Sequence, residues 1–354
     1  MNLPSDWIAF VVALLASFTF TVPVRRLAVR TGMVDRPGPR KVHAKPMPLL
    51  GGIAIYAGFV IAVLLVLKDI PVQQIVGILS GATLVVLVGV MDDGGFLHHQ
   101  VKLFVGMPIA AVLLLVSGIR ADFFSNFIPG QIGAAFDVCF TVVWVVSITA
   151  AFSILDHMDG LCAGIAAVAA AFFTIAAGMS GQTMVGTLAA AVLGAALGFL
   201  RWNFSPAKIF MGDAGAMLLG FLMATLGLKL RPAAVHFPLT WLAVALILGV
   251  PIFDTTLISI SRSRRGLLPF TSPGKDHTAH RLSNLGLGQR GAVVTLYGIA
   301  LCSGTLALLV SRITAATAYI LTVVLVACAL AAILRLESVP YERQAKLHKP
   351  SPAP

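Results

Sequence analysis

Apolar runs of roughly 20 residues recur down the whole chain, and each is about the length a helix needs to cross the hydrocarbon of a bilayer. A segment in lipid must satisfy its own backbone hydrogen bonds, so such runs point to helices packed side by side. Of 354 residues 58% are hydrophobic and 11% charged, against roughly 25% charged in an ordinary soluble domain. The expected fold is therefore all-α, a polytopic membrane helix bundle. Spans are expected near 6–24, 51–67, 74–91, 103–119, 138–155, 161–178, 184–200, 214–230, 238–260, 291–311 and 316–334, about eleven transmembrane helices in all. One domain, 1–334, holds them, and a basic disordered cytoplasmic tail, 335–354, follows and ends in Lys-Pro-Ser-Pro-Ala-Pro. Gly249, Pro251 and Asp254 predict a kink or break inside 238–260.

Lys and Arg set the orientation, because short positively charged loops stay in the cytoplasm. One set of alternate loops carries 20 of the 25 basic residues; the other keeps only Lys68, Arg120, Lys229, Arg231 and Arg312. The N-terminus is thus expected outside and the C-terminus inside. Arg25, Arg26 and Arg30 follow the first apolar run instead of preceding it, so that run reads as a retained helix and not a signal peptide. Cys139, Cys162, Cys302 and Cys328 lie singly in expected helices, with no metal-ligand spacing, and read as core thiols. The net charge of +11 suits an anionic inner leaflet or an anionic substrate.

Against that background the acidic residues stand out. Asp92, Asp93, Asp156, Asp159, Asp213 and Asp276 sit at or beside the ends of apolar runs, all on the expected cytoplasmic side, where a charge is costly unless paired, hydrated or bound to a cation. Asp92 and Asp93 close the third run in "GVMDDGGF"; neighbours on a helix point about 100° apart, so the pair can face two different ligands. Asp156 and Asp159, in "ILDHMDGLCAG", would share one face if helical. In "NFSPAKIFMGDAG" Pro206 and Gly212 break the helical pattern and leave Asp213 at the start of the next run, where free N–H groups can meet phosphate oxygens and a carboxylate can hold Mg²⁺. An N-cap would account for Asp213 alone. Asp254 is read equally as a partner for a neighbouring helix or as part of the site.

Two basic loops share this face. The first, "RKVHAKPMPLLGG", has Arg40, Lys41, His43 and Lys45; the second, "KDHTAHRLSNLG", has Lys275, His277, His280 and Arg281. Such groups bind phosphate through charge-assisted hydrogen bonds. A zinc site on the two histidines is disfavoured, since neither a cysteine nor a third histidine stands at a ligand spacing. Carboxylates for a divalent ion beside cations for phosphate are what phosphoryl transfer needs.

From "RKVHAKPMPLLGG" through "MDD", "LDHMDGLCAG" and "NFSPAKIFMGDAG" to "HTAHRL", over roughly 36–290, the chain resembles the polyprenyl-phosphate N-acetylhexosamine-1-phosphate transferases, and within them the undecaprenyl-phosphate N-acetylglucosamine-1-phosphate transferases of the WecA/TagO type. The resemblance implies an Mg²⁺-dependent enzyme, with Mn²⁺ as an alternative ion, in the bacterial cytoplasmic membrane with its site facing the cytoplasm. It implies transfer of a sugar 1-phosphate from a UDP-N-acetylhexosamine to undecaprenyl phosphate, with release of UMP. By position, Asp92, Asp93, Asp156, Asp159 and His277 match catalytic motifs, and Asp213 with Asp92 the metal ligands. Lys45, Asn203, Phe210, Gly212, His280 and Arg281 match substrate-binding positions, Asn203 and Phe210 those that hold and stack on uracil. The partners are these substrates and the bilayer, with no nucleic acid; a homodimer is left open. Where the family usually has Asn-x-x-Asn and a glycine, this chain has Ala150, Ser153 and His157.

Alternative readings are a phospho-N-acetylmuramoyl-pentapeptide transferase, an intramembrane Mg²⁺-dependent prenyltransferase and a proton- or cation-coupled transporter. His-Thr-Ala-His-Arg replaces the three-histidine run usual in the first. The second gives no role to "PAKIFMGD", and the third expects acids spread through the bilayer. No internal repeat marks the inverted halves of a transporter.

Overall fold

The computed structural model describes residues 5–37, 46–66, 71–97, 99–231, 237–267, 274–310 and 312–339. Helix α1 (Ser5–Thr31) turns a stripe of small residues, Ala9, Ala13, Ser17, Thr21 and Ala28, inward. That stripe lets backbones close up: against α7 (Thr183–Asn203), a Cβ on Gly194 would lie 2.2 Å from the Phe10 carbonyl oxygen and one on Gly198 2.4 Å from that of Leu14. A two-residue antiparallel ribbon, β1 (Val34–Asp35) and β2 (Met47–Pro48), leads into α2 (Gly51–Val66). Then come α3 (Val72–Asp93), a π-helical turn at Lys102–Gly106 running into α4 (Met107–Val116), α5 (Gln131–Leu155) and α6 (Leu161–Met179).

Helix α8 (Gly212–Lys229) is the central post. It is apolar on every side, and all its residues except Asp213 and Lys229 are buried, the signature of a helix enclosed by others; α2, α3, α5 and α6 pack around it. Helices α9 (Phe237–Ile247) and α10 (Gly249–Ser263) meet at an 81° bend, so the break expected from Gly249 and Pro251 is present and falls at Leu248. A short α11 (Thr278–Leu282), α12 (Gly288–Val310) and α13 (Ala315–Glu337) complete the chain.

Among the described residues, seven helices are long and apolar enough to cross a membrane, and the bent pair makes eight; α2 and the 102–116 segment are apolar but shorter. Each of the eleven expected spans is helical over most of its described residues, while the count of crossings rests at seven to eight by length and composition. Helix α13 runs to Glu337, so the expected tail begins as helix; residues 340–354 lie outside the described set. The cysteine expectation needs correction: only Cys162 is buried, and Cys139, Cys302 and Cys328 are exposed on the outer faces of their helices.

Candidate active site

The acids gather at one end of the bundle, where α3, α5 and α7 finish and α8 begins. Asp92 and Asp93 do face two ways. Asp92 Oδ2 accepts a hydrogen bond from Lys102 Nζ at 2.7 Å, and the same ammonium donates to Asp213 Oδ2 at 2.6 Å. Asp93 accepts from the backbone N–H groups of Asp213 (2.9 Å) and Ala214 (3.3 Å). The amides expected to meet a phosphate are thus already taken by Asp93, a carboxylate set against the positive end of a helix. Met211, not Asp213, occupies the N-cap.

Glycines bring these groups together. Gly212 has φ +68°, a conformation open to residues without a Cβ, and a Cβ there would lie 2.3 Å from Asp93 Oδ2. A Cβ on Gly89 would come within 2.4 Å of Ala214 Cα, so α3 and α8 touch backbone to backbone. Gly51 and Gly52 are explained the same way: their N–H groups donate to the Phe210 and Met211 carbonyls, and a Cβ on Gly52 would lie 2.2 Å from the Gly215 nitrogen. Phe210 in turn donates its N–H to the Pro48 carbonyl, which ties the 204–211 loop to the β ribbon.

Ser153 donates to Asp213 Oδ1 at 2.5 Å, so the departure from the asparagine pattern leaves a hydroxyl donor on that carboxylate. Asp156 ends α5, and the 156–160 segment is a loop between spans, so Asp156 and Asp159 do not share a helical face. Burial, and then the nearby charges of Asp213, Asp93 and Asp159, push the Asp156 carboxyl well above the ordinary carboxylate range. Asp159 turns away and accepts from the Ala207 N–H at 2.9 Å. Asn203 bridges two loops, accepting from the Gly160 N–H at 3.1 Å and donating to the Ile209 carbonyl at 3.0 Å. Tyr297 of α12 donates to the Gly160 carbonyl and fills the space over Gly164, where a Cβ would clash at 2.1 Å.

The histidine segment lies beside this loop. His157 stacks on His277 with ring centroids 4.0 Å apart, and His280 is 4.9 Å from His157. His277 Nδ1 is 3.0 Å from Asp254 Oδ2, and the Thr278 N–H donates to Asp254 Oδ1 at 2.7 Å. Asp254 is therefore both a helix partner and a neighbour of the site, fixing the orientation of His277.

Two expected site residues are employed elsewhere. Asp276 belongs to no acid cluster: it forms ion pairs with Arg262 (2.8 Å) and Arg265 (2.6 Å), an arrangement that pins the 274–277 segment onto α10. Arg281 has no exposed surface, and its guanidinium donates to Asp276 O, Leu336 O, Ser261 Oγ and Glu337 Oε1. It anchors the histidine segment from behind. Lys45 lies outside the described residues. Lys102 went unnoticed in the sequence except as a topological charge, although it is the single basic residue of the 92–102 loop and the first residue before an apolar run.

A divalent ion fits the Asp92–Asp213 pair. Two carboxylate oxygens already converge within 2.7 Å of one positive charge, and hard oxygen donors without thiolate or imidazole suit Mg²⁺.

Comparison with known proteins agrees with the geometry. The model of glycosyl transferase family 4 matches residues 75–231. A Bacillus subtilis (strain 168) protein named "Probable undecaprenyl-phosphate N-acetylglucosaminyl 1-phosphate transferase" is 36% identical, over 82% of this chain and 80% of its own. The Yersinia pestis undecaprenyl-phosphate alpha-N-acetylglucosaminyl 1-phosphate transferase is 29% identical over 84% of this chain and 82% of its own. A Mycobacterium tuberculosis decaprenyl-phosphate N-acetylglucosaminephosphotransferase is 32% identical over 80% and 77%.

Proposed function

Because the chain belongs to glycosyl transferase family 4, we propose that it transfers N-acetylglucosamine 1-phosphate from UDP-N-acetylglucosamine to undecaprenyl phosphate, releasing UMP and leaving a sugar diphosphate on the lipid. The observation that carries this reading is the convergence of Asp92, Lys102 and Asp213 at the mouth of α8, with a histidine segment alongside. A cation held between two acids, next to neutral and cationic donors, is the layout that stabilises charge on a transferring phosphoryl group.

Asp213 and Asp92 are the proposed ligands of Mg²⁺, which would offset charge on the diphosphate oxygens when bound. Asp93, both oxygens engaged by α8 amides, positions Asp213 and leaves proton handling to others. Asp156 is the group with a poised charge: burial and its acidic neighbours favour retention of a proton, and a cation bound at Asp213 would favour its loss. A carboxylate of raised pKa is a better base near neutrality than an ordinary one, so Asp156 is assigned the proton of a monoprotonated lipid phosphate. That phosphate's oxygen attacks the sugar-bearing β-phosphorus; the P–O bond to the α-phosphate breaks and UMP leaves with the electron pair. His280 is the donor assigned to the diphosphate, and His277, oriented by Asp254, is assigned to positioning the segment beside it. Asn203 and Arg281 are assigned to positioning, since their polar atoms hold loops. The site is assigned to the cytoplasmic face of the bacterial inner membrane, on the distribution of Lys and Arg.

The test is UMP release by the purified protein with undecaprenyl phosphate and a panel of UDP-N-acetylhexosamines, with and without Mg²⁺. Release that needs the lipid, Mg²⁺ and UDP-N-acetylglucosamine is the expected result. Normal turnover by Asp213→Asn would remove the metal assignment, and a phosphorylated enzyme trapped without lipid would replace the direct attack by a two-step route. Ion flux in liposomes without UMP release would favour a transporter.

A further inference from the structure

His157 carries an unexplained lone pair. Its Nδ1 lies 3.1 Å from the Ile154 carbonyl oxygen, and a carbonyl can only accept, so Nδ1 carries the proton and Nε2 is bare. That Nε2 is buried and has no hydrogen-bond partner among the described residues. Buried acceptors are ordinarily satisfied, whereas an imidazole with one N–H on a backbone carbonyl and the other nitrogen free is the arrangement of a metal-ligating histidine.

The surroundings supply further ligands. One donor atom each from His157, His277 and Asp254 lie within 4.8 Å of one another. They come from three segments: the 156–160 loop, α10 and the start of α11. The third histidine that spacing along the chain could not supply is thus delivered by the fold. Asp254 and His277 are almost wholly enclosed; His280 stands next, its ring 4.9 Å from that of His157. Two imidazoles and one carboxylate favour a borderline ion such as Zn²⁺, while Mg²⁺ prefers an all-oxygen shell. The adjacent residues Asp156 and His157 have different surroundings: burial and the charges of Asp213 and Asp93 act on the first, whereas the second stacks on His277. The two clusters share a loop and no ligand.

We propose that His157 Nε2, His277 and the Asp254 carboxylate form a second cation site for a zinc-type transition-metal ion, separate from the Asp92–Asp213 pair, with the fourth position left to water. Occupancy ties the 156–160 loop to α10 and the histidine segment. Ligation draws Asp254 Oδ2 away from His277 Nδ1 or recruits the other ring nitrogen of His277, and either change is a side-chain rotation within the same enclosure.

Purified full-length protein in detergent, held in millimolar Mg²⁺, is dialysed against Zn²⁺ and, in parallel, Co²⁺. One Zn²⁺ retained per chain and a visible Co²⁺ spectrum of four-coordinate type are expected. His157→Asn should weaken retention at least about tenfold, while Asp213→Asn should retain zinc as the unaltered protein does. A thermal melt of each variant in zinc-free Mg²⁺ buffer shows that the fold persists, and His157→Cys should restore binding with a new sulfur-to-cobalt charge-transfer band. Equal zinc uptake by His157→Asn, loss of zinc in Asp213→Asn, or absence of the charge-transfer band would each overturn the site. These outcomes are read without turnover, so they stand apart from the transferase assignment.

Discussion

Lys102 fills, with its ammonium, the point between Asp92 and Asp213 where a divalent ion would sit. An ion binding there must displace it. Lys102→Gln is accordingly expected to lower the Mg²⁺ concentration needed for half-occupancy while turnover falls, checked by calorimetric titration beside the UMP assay. Asp156 makes a second prediction. Its carboxyl is pushed up by burial and by Asp213, Asp93 and Asp159, so Mg²⁺ binding should expel a proton. Titrations in buffers of different ionisation enthalpy would show that release, and Asp156→Asn should abolish it. At Gly212, φ +68° and the 2.3 Å approach to Asp93 leave no room for a methyl group. Gly212→Ala should cost about 1–2 kcal/mol in backbone strain alone, seen as a lower melting midpoint, and should displace Asp93 enough to reduce UMP release. The sequence marked most of these residues, because carboxylates beside apolar runs are rare and visible. It did not mark Lys102 or the role of Ser153, since a single lysine in a short loop looks like any topological charge.

The elements tell a different story about legibility. Every apolar run became a helix because length and composition alone decide that in lipid. The 156–160 loop falls between two runs as expected, but its internal conformation is not legible: Gly160 sits at φ +77°, and the Asn203 side chain that accepts its N–H lies 43 residues away. Asp276 was misjudged as a site residue for the same reason, since nothing local reveals Arg262 and Arg265. Removing Asp276 would take the carboxylate counter-charge from a guanidinium that is 5% exposed, so Asp276→Ala should lose about 3–5 kcal/mol. Burial raises the Asp276 pKa, but the two guanidiniums outweigh it and hold it below 3.8. A depressed carboxylate stabilises the fold above its unfolded value, so the midpoint gap between the unaltered protein and Asp276→Ala should close only as pH falls below about 4.

Across the whole molecule, polar contacts divide between two ends. The end opposite the acid cluster has Lys229 on Gln74, Arg231 on Asp122 and Asp6 on Thr187, plain bonds between neighbouring helices and loops. Asp137, fully buried there, is satisfied by the Phe124 and Ser125 amides and the Ser125 hydroxyl. With the acid cluster facing the cytoplasm, a single cysteine at exposed Gln131 in a cysteine-free background should react with an impermeant thiol reagent from outside intact cells, and one at exposed Lys208 only after permeabilisation. The reverse pattern would invert the orientation read from Lys and Arg.

The lysine lodged between Asp92 and Asp213 also bears on how such a protein reaches its membrane. A newly made chain carries its own counter-ion, so its two acids enter the bilayer's edge already neutralised in part. Insertion would then not wait on a metal, and on the proposed assignment an ion would be called for only once a nucleotide arrives.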